Sequence, residues 1–256
     1  MMEITNNRGD YALAQRLASN QVRGELDYRS VLLESMAVEP GHHVLDVACG
    51  NGAFTLEFKR LAADGRVAGL DGSDELIAAA RRAAADAGLD IAFAVGDALE
   101  LPHPAASFDR ICCSYAIYHF PSVERALDEM FRVARPGARI VLTGPTVANN
   151  RELYRLHELG GSPVRTTMGR EVFQSAVDAY FARNEARMQF TEYLNVVRFP
   201  SRDDFIDNYA VTKLFLDNVA PAERDTVLSR LRSMHWPSDL APLSVTKTIG
   251  VFIVWT

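Results

Sequence analysis

Three aspartates recur along the first half of the chain in a series that could hold a ligand. Asp46 lies in the apolar run VLDVACGNGAF (44–54), Asp71 follows 25 residues later in VAGLDGSDELI, and Asp97 lies in IAFAVGDALELP. Each sits at or just past the end of a short apolar run, where a carboxylate offers two acceptor oxygens to hydroxyl or amino donors. Asp71 suits both hydroxyls of a ribose, and it also reads as an Asx-turn or helix cap, with Ser73 as a second capping residue. Asp46 either orients the small-residue turn that follows it or meets a charged ligand amine. Asp97 suits an exocyclic amine, with Ala98 and Leu99 offering a backbone N–H and an apolar wall, although GD at a strand exit is also an ordinary turn. The small residues Ala48, Gly50 and Gly52 let backbone N–H groups approach a ligand at the positive terminus of the next helix.

The acid–base candidates stand in SYAIYHF. His119 can remove a proton from an oxygen or nitrogen nucleophile near neutral pH and Tyr118 can orient it; pocket lining without proton transfer is the competing reading. Tyr11 and Tyr28, with Arg16 between them, are candidates for a lid over the site. His157, Tyr193 and Arg198, with Phe190, are candidates from the second half, where most aromatics simply pack. Arg151, Arg155 and Arg165 invite a carboxylate ligand, against the commoner fate of surface arginines. His42 and His43, at a strand entry on the opposite edge, read as structural. The six histidines show no HxxxH or HExxH arrangement and the three cysteines, Cys49, Cys112 and Cys113, lack ligand spacing, so no metal is expected. Buried, reduced thiols are the simpler account of those cysteines.

The elements that would position these residues alternate regularly. HVLDVA, RVAGLD, IAFAV, SFDRICCSYA and ARIVLTG read as buried strands, and AFTLEFKRLAA, SDELIAAARRAAADAG and Ser122–Val133 as helices. Such a chain folds as a twisted, mainly parallel sheet covered by helices on both faces. Pro136-Gly137 reads as a stop before the fifth strand. Beyond Gly144 the pattern changes. NNRELYRLHELG begins with asparagines suited to a helix cap, GREVFQSAVDAYFARN is a further helix, and EARMQFTEYLNVVRFP is strand-like. Ser201 and Asp204 form a capping-box pattern, and a helix from about Pro221 to Met234 precedes the strand-like SVTKTIGVFIVWT. The expected divisions are an N-terminal helical lid over 1–37, a ligand-binding core over 38–145, and cap helices with completion of the sheet over 146–256.

With 256 residues, 48% of them hydrophobic, the chain can bury one substantial core with a small cap. No run approaches the roughly 20 apolar residues of a membrane span, and the first thirty residues lack the apolar centre of a signal peptide, so a cytoplasmic protein without a membrane partner is expected. A net charge of −6 without a basic block argues against nucleic acid. A small-molecule partner remains, and monomer and homodimer are both open.

The pieces VLDVACGNGAF, VAGLDGSDELI, VGDALELPHPAASFDRICCSYAIYHF and MFRVARPGARIVLTGP, in this order over about residues 38 to 145, resemble the class I S-adenosylmethionine-dependent methyltransferases. Within that family the chain is similar to the small-molecule branch of ubiquinone and menaquinone biosynthesis C-methyltransferases. The resemblance implies an α/β, Rossmann-like, mainly parallel seven-stranded sheet with helices on both faces and a small helical lid or cap. It implies S-adenosylmethionine as cofactor, with Asp46, Ala48, Gly50 and Gly52 at its methionine end and Asp46 near the ammonium. It further implies Asp71 with Gly72 on the ribose, Asp97, Ala98 and Leu99 around adenine, and Ser114 near the methionine portion. Family members commonly have glycine where this chain has Ala48. A nicotinamide cofactor fits less well, because residues 46–52 read D-V-A-C-G-N-G where the dinucleotide turn needs G-x-G-x-x-G.

The expected reaction is methyl transfer to an oxygen, nitrogen or activated carbon of a small metabolite. Aminocarboxypropyl transfer or ring closure of the cofactor, either releasing methylthioadenosine, is the enzyme alternative, and a non-catalytic cofactor-binding accessory protein is the other. Nucleic-acid methylation ranks lower, since no Asn-Pro-Pro-Tyr-like stretch follows the fourth strand.

Overall fold

The computed structural model describes residues 26–164, 169–184, 186–240 and 243–256. Two compact units are distinguished. One comprises Tyr28–Thr146, Gly169–Tyr193 and Ile249–Thr256, and the other comprises Met1–Asp27, Val147–Met168 and Leu194–Thr248.

In the first unit the alternation read from the sequence is realised as α1 (Tyr28–Met36), β1 (Val44–Val47), α2 (Ala53–Ala62), β2 (Val67–Asp71), α3 (Asp74–Asp86), β3 (Ala92–Val95), β4 (Phe108–Ser114), α4 (Val123–Val133) and β5 (Ala134–Gly144). After α5 (Arg151–Leu159), helix α6 (Gly169–Phe181) returns to this unit, and β6 (Arg187–Arg198) and β7 (Ser244–Trp255) each run through both units. The seven-stranded sheet has the order β3-β2-β1-β4-β5-β7-β6. Strands β1 to β5 pair in parallel, and β7 lies antiparallel to β5. Every residue of β1 is buried, which is why its sequence is apolar apart from Asp46.

Local chemistry accounts for the helix boundaries. Ser73 caps α3 by accepting the Leu76 N–H at 3.3 Å, and Ser122 caps α4 by accepting the Arg125 N–H at 3.2 Å. The C-terminal carbonyls around α1 are satisfied from the sheet: Arg139 donates to Ser35 O at 2.9 Å and Arg110 to Ala37 O at 3.1 Å. Helix α1 packs on β4 and β5, so this part of the expected N-terminal lid is a sheet-covering helix. The core of the unit includes Leu45, Val47, Leu70, Ile111, Cys113, Leu127, Met130, Ile140, Leu142, Phe173 and Phe252.

Two local expectations are corrected. Pro136-Gly137 does not separate helix from strand: β5 begins directly at Ala134, and the pair is absorbed in a register shift, Phe108 facing Ala134 while Arg110 faces Arg139. A bulge tolerates the missing proline N–H and the φ of 80° at Gly137. Asn150 precedes α5 without a capping bond, because its backbone is left-handed and its side chain accepts from Lys247 Nζ instead.

The second unit holds α5, α7 (Arg202–Ala210), α8 (Lys213–Asn218) and α9 (Arg224–Ser233) around a core that includes Leu153, Leu156, Phe205, Tyr209, Phe215 and Leu231. Ser201 accepts the Asp204 N–H at 3.1 Å, and its hydroxyl donates to the Asp204 carboxylate at 2.7 Å. Among the described residues no helix is long and apolar enough to cross a membrane.

Candidate functional site

Strand order reverses between β1 and β4, and the residues just beyond their carboxyl ends are where an open α/β sheet receives a ligand. The turn after β1 contains three left-handed residues, Ala48 (φ 58°), Gly50 (φ 56°) and Gly52 (φ 78°). Position 52 has to be glycine. A Cβ there would lie 2.9 Å from Phe93 Cζ and 3.0 Å from Ala80 Cβ, which would push α2 off its neighbours.

Asp71, at the end of β2, accepts the Gly50 N–H at 2.8 Å on Oδ2 and the Ser73 N–H at 3.0 Å on Oδ1. It therefore does what its turn-capping reading describes, joining the β1 turn to the start of α3. Each oxygen keeps a further acceptor direction, so the same carboxylate can still receive two ligand hydroxyls. Asp46 is buried, only 3% exposed, and its Oδ2 accepts the Thr55 hydroxyl at 2.6 Å. Burial pushes its carboxyl up to about 7; the Thr55 bond pulls the other way and the charge of Asp71 adds to the rise.

A cavity of about 380 Å³ opens beside these groups, lined by Ala48, Leu70, Asp71, Gly72, Val95, Gly96, Asp97, Ala98 and Phe120. Five of the cofactor residues named from sequence meet here. Asp46, Gly50, Gly52, Leu99 and Ser114 are not in that lining, and Leu99 is committed elsewhere: its N–H is donated to Asp97 Oδ1 at 2.9 Å, its carbonyl accepts from Arg125, and its side chain packs on the core. Sequence reasoning missed Leu70, Val95, Gly96 and Phe120. The first three flank acids it had found, and the strand-end rule reaches them. Phe120 arrives through a single 3₁₀ turn, Ile117–His119, whose course no spacing predicts.

The end of β4 carries a ring of hydroxyls. Tyr28 Oη lies 2.6 Å from Ser114 Oγ and 2.7 Å from Thr143 Oγ1, and those two are 3.3 Å apart. Burial, reinforced by Tyr115, holds the Tyr28 phenol well above its ordinary range, so it stays protonated. Its ring meets Phe54 and Tyr115 edge-on at 5.6 and 5.3 Å. Tyr115 is itself left-handed, at φ 53°, an uncommon conformation for a bulky residue. Tyr118 is half-buried, with its phenol likewise raised by burial, and its ring lies 4.5 Å from that of His119, which is exposed.

The remaining candidates are dispersed. Tyr11, Arg16 and Arg165 lie outside the described residues. Tyr193 is half-buried and Arg198 exposed on β6. His157 is fully buried in the core of the second unit, its Nδ1 2.5 Å from Tyr209 Oη. Arg151 and Arg155 pair with Glu152 and Glu158. His43 belongs to a network with Asp109 and Arg135 at the other end of the strands, in keeping with a structural role. Cys112 and Cys113 are buried free thiols and Cys49 is half-buried and free. Among the described residues no cluster of three or more His, Cys, Asp or Glu side chains is arranged to hold a metal.

Residues 44–137 match the methyltransferase domain family. The chain is 40% identical over 114 residues to a demethylmenaquinone methyltransferase of Deinococcus radiodurans, covering 44% of this chain and 47% of that protein. It is 30% identical over 164 residues to a ubiquinone/menaquinone biosynthesis C-methyltransferase of Teredinibacter turnerae, covering 63% and 66%. The chain thus spans about half the length of the first curated relatives it matches, at 47%, 42% and 59%. Among solved structures, the YcgJ protein of Bacillus subtilis superposes with a TM-score of 0.62 at 22% identity, over 89% of this chain and 97% of that one, a likeness of fold. In sheet order, in the glycine turn with its acids and in these matches, residues 44–137 are similar to methyltransferase domains.

Proposed function

We propose that the protein transfers a methyl group from S-adenosylmethionine to an oxygen, nitrogen or activated carbon of a small metabolite. The observation that carries this reading is the cavity beyond β1, β2 and β3, which Asp71 and Asp97 line together with small and apolar residues. The donor set fits the group. Asp71 would take the ribose hydroxyls, Asp97 the adenine amine, with Ala98, Val95 and Phe120 as apolar wall, and the buried Asp46 would stand nearest the ammonium. When bound, the cofactor supplies an electrophilic methyl group on a sulfonium centre. The chain's own contribution is to hold the reactants in line and exclude water, which accounts for much of the acceleration in such a substitution.

Proton handling falls to His119 where the acceptor needs it, because Tyr28 and Tyr118 remain protonated and act as donors. Ser114 is taken as part of the methionine-end lining, together with the hydroxyls of Tyr28 and Thr143 that bond to it. The demethylmenaquinone methyltransferases among the relatives make demethylmenaquinone one acceptor to assay. Free thiols at Cys49, Cys112 and Cys113 suit a reducing, cytoplasmic setting.

The test is product analysis on the full chain with S-adenosylmethionine and an acceptor library. Formation of S-adenosylhomocysteine with a methylated acceptor supports the reading. Methylthioadenosine without a methylated product overturns it in favour of aminocarboxypropyl transfer or cyclisation, and cofactor binding without any product favours an accessory role.

A further inference from the structure

The hydroxyl ring at the ends of β4 and β5 has a direction. Ser114 and Thr143 face each other in register, and Tyr28, the first residue of α1, bonds them at 2.6 and 2.7 Å, whereas the third side of the ring is 3.3 Å. Among the described residues these three side chains hydrogen-bond only one another. Each hydroxyl brings a single proton. Tyr28 spans both short sides, so its oxygen accepts from one neighbour and donates to the other, and the phenol keeps its proton because burial raises it. Thr143 is fully buried and has to use its proton inside the ring, while Ser114 is half-buried. Leaving the enclosed donor on the long side costs more than leaving the accessible one there. Thr143 therefore donates to Tyr28, Tyr28 donates to Ser114, and the Ser114 proton is the one left for a ligand.

Sheet order puts Ser114 next in the series after the acids, with Asp97 beyond β3, Asp71 on β2, Asp46 on β1 and Ser114 on β4. Resting on the methyl-donor reading above, in which adenine, ribose and the methionine end follow that series, we infer that Thr143 and Tyr28 are positioning residues that aim the Ser114 hydroxyl, as a donor, at the carboxylate of the cofactor's methionine end. An ammonium has no acceptor, so the carboxylate is the charged group at that end which a donor can serve. Being fully buried, Thr143 acts on the ligand only through Tyr28. Each bond of such a chain polarises the next, so the last donor is strengthened as well as oriented.

Thr143→Val in the full chain removes the first donor and keeps the branched shape of the side chain. S-adenosylhomocysteine carries the carboxylate and methylthioadenosine lacks it, so the two ligands separate this contact from the adenosine cavity. By calorimetry the valine variant should bind S-adenosylhomocysteine about five-fold more weakly, the equivalent of about 1 kcal/mol for one hydrogen bond, and methylthioadenosine within about two-fold of the parent. Thr143→Ser keeps the donor and should bind both ligands within about two-fold of the parent. Tyr28→Phe cuts the same chain at its middle, so its combination with Thr143→Val should weaken S-adenosylhomocysteine no more than either change alone. Unchanged S-adenosylhomocysteine binding by the valine variant overturns the inference, as do equal losses for both ligands, additive losses in the double variant, or a serine variant as weak as the valine one. A parent protein that binds neither ligand overturns the methyl-donor reading itself, and this inference with it; a parent that binds S-adenosylhomocysteine with an indifferent valine variant sinks the inference alone.

Discussion

Replacing Asp46 by asparagine should stabilise the protein, and by an amount that depends on pH. The carboxyl is 3% exposed, bonded to Thr55, and raised from an ordinary 3.8 to about 7, mainly by burial. In the folded state it therefore holds its proton over a range in which the unfolded chain has released it. A group of this sign contributes its full stability below the unfolded value, near 3.8, and loses it as pH climbs through the folded value, near 7. At about 1.4 kcal/mol per factor of ten in the ionisation constant, the loss approaches roughly 4 kcal/mol above pH 7. Asparagine is close to an isostere of the protonated acid and still offers an oxygen to the Thr55 hydroxyl, so Asp46→Asn escapes this loss. Its melting temperature should match the parent's near pH 4 and exceed it increasingly up to about pH 8, by on the order of 10 °C for a chain of this size. Calorimetric scans of both proteins from pH 4 to 8.5 read the difference directly. A constant gap across that range, or a gap that closes as pH rises, would refute the claim that a buried, uncompensated carboxylate is formed there.

Asp71→Asn replaces one acceptor oxygen by a donor, so either the Gly50 or the Ser73 N–H loses its partner. It should melt a few degrees lower, in line with about 1.5–3 kcal/mol for a bond to a charged acceptor, and bind S-adenosylmethionine at least about ten-fold more weakly by calorimetry. His119→Gln should keep cofactor affinity within about two-fold, since the exposed ring lies outside the cavity lining, while lowering turnover at least about ten-fold on an acceptor that must lose a proton; wild-type turnover rejects the role. His157 is held below its ordinary range, chiefly by burial, so its contribution to stability is present above about pH 6.5 and is lost as pH falls through the folded value. His157→Gln should accordingly show a shallower fall in melting temperature between about pH 6.5 and 4 than the parent does, whatever its absolute stability.

The sheet-forming half of the molecule is legible in the amino-acid pattern, and the reason is local. Parallel strands buried on both faces have to be runs such as VLDV and VAGLD, and the serines at 73 and 122 mark helix starts through bonds that span only three residues. Placing Asp46, Asp71 and Asp97 at one edge of the sheet followed from that alternation, since every parallel strand presents its carboxyl end on the same side. What the periods could not determine is how each acid divides its oxygens. Asp71 accepts the Gly50 and Ser73 N–H groups of the turns it joins, and Asp97 takes the Leu99 N–H for itself, because chain neighbours two residues away compete for the same carboxylate. Tertiary structure alone decided that Phe120 reaches the cavity, that Tyr28 closes a hydroxyl ring with Ser114 and Thr143 from 86 and 115 residues away, and that His157 turns into a core beside Tyr209. Such contacts depend on the register of distant strands and on a single turn of 3₁₀ helix, and no pattern within a window of ten or so residues carries that information.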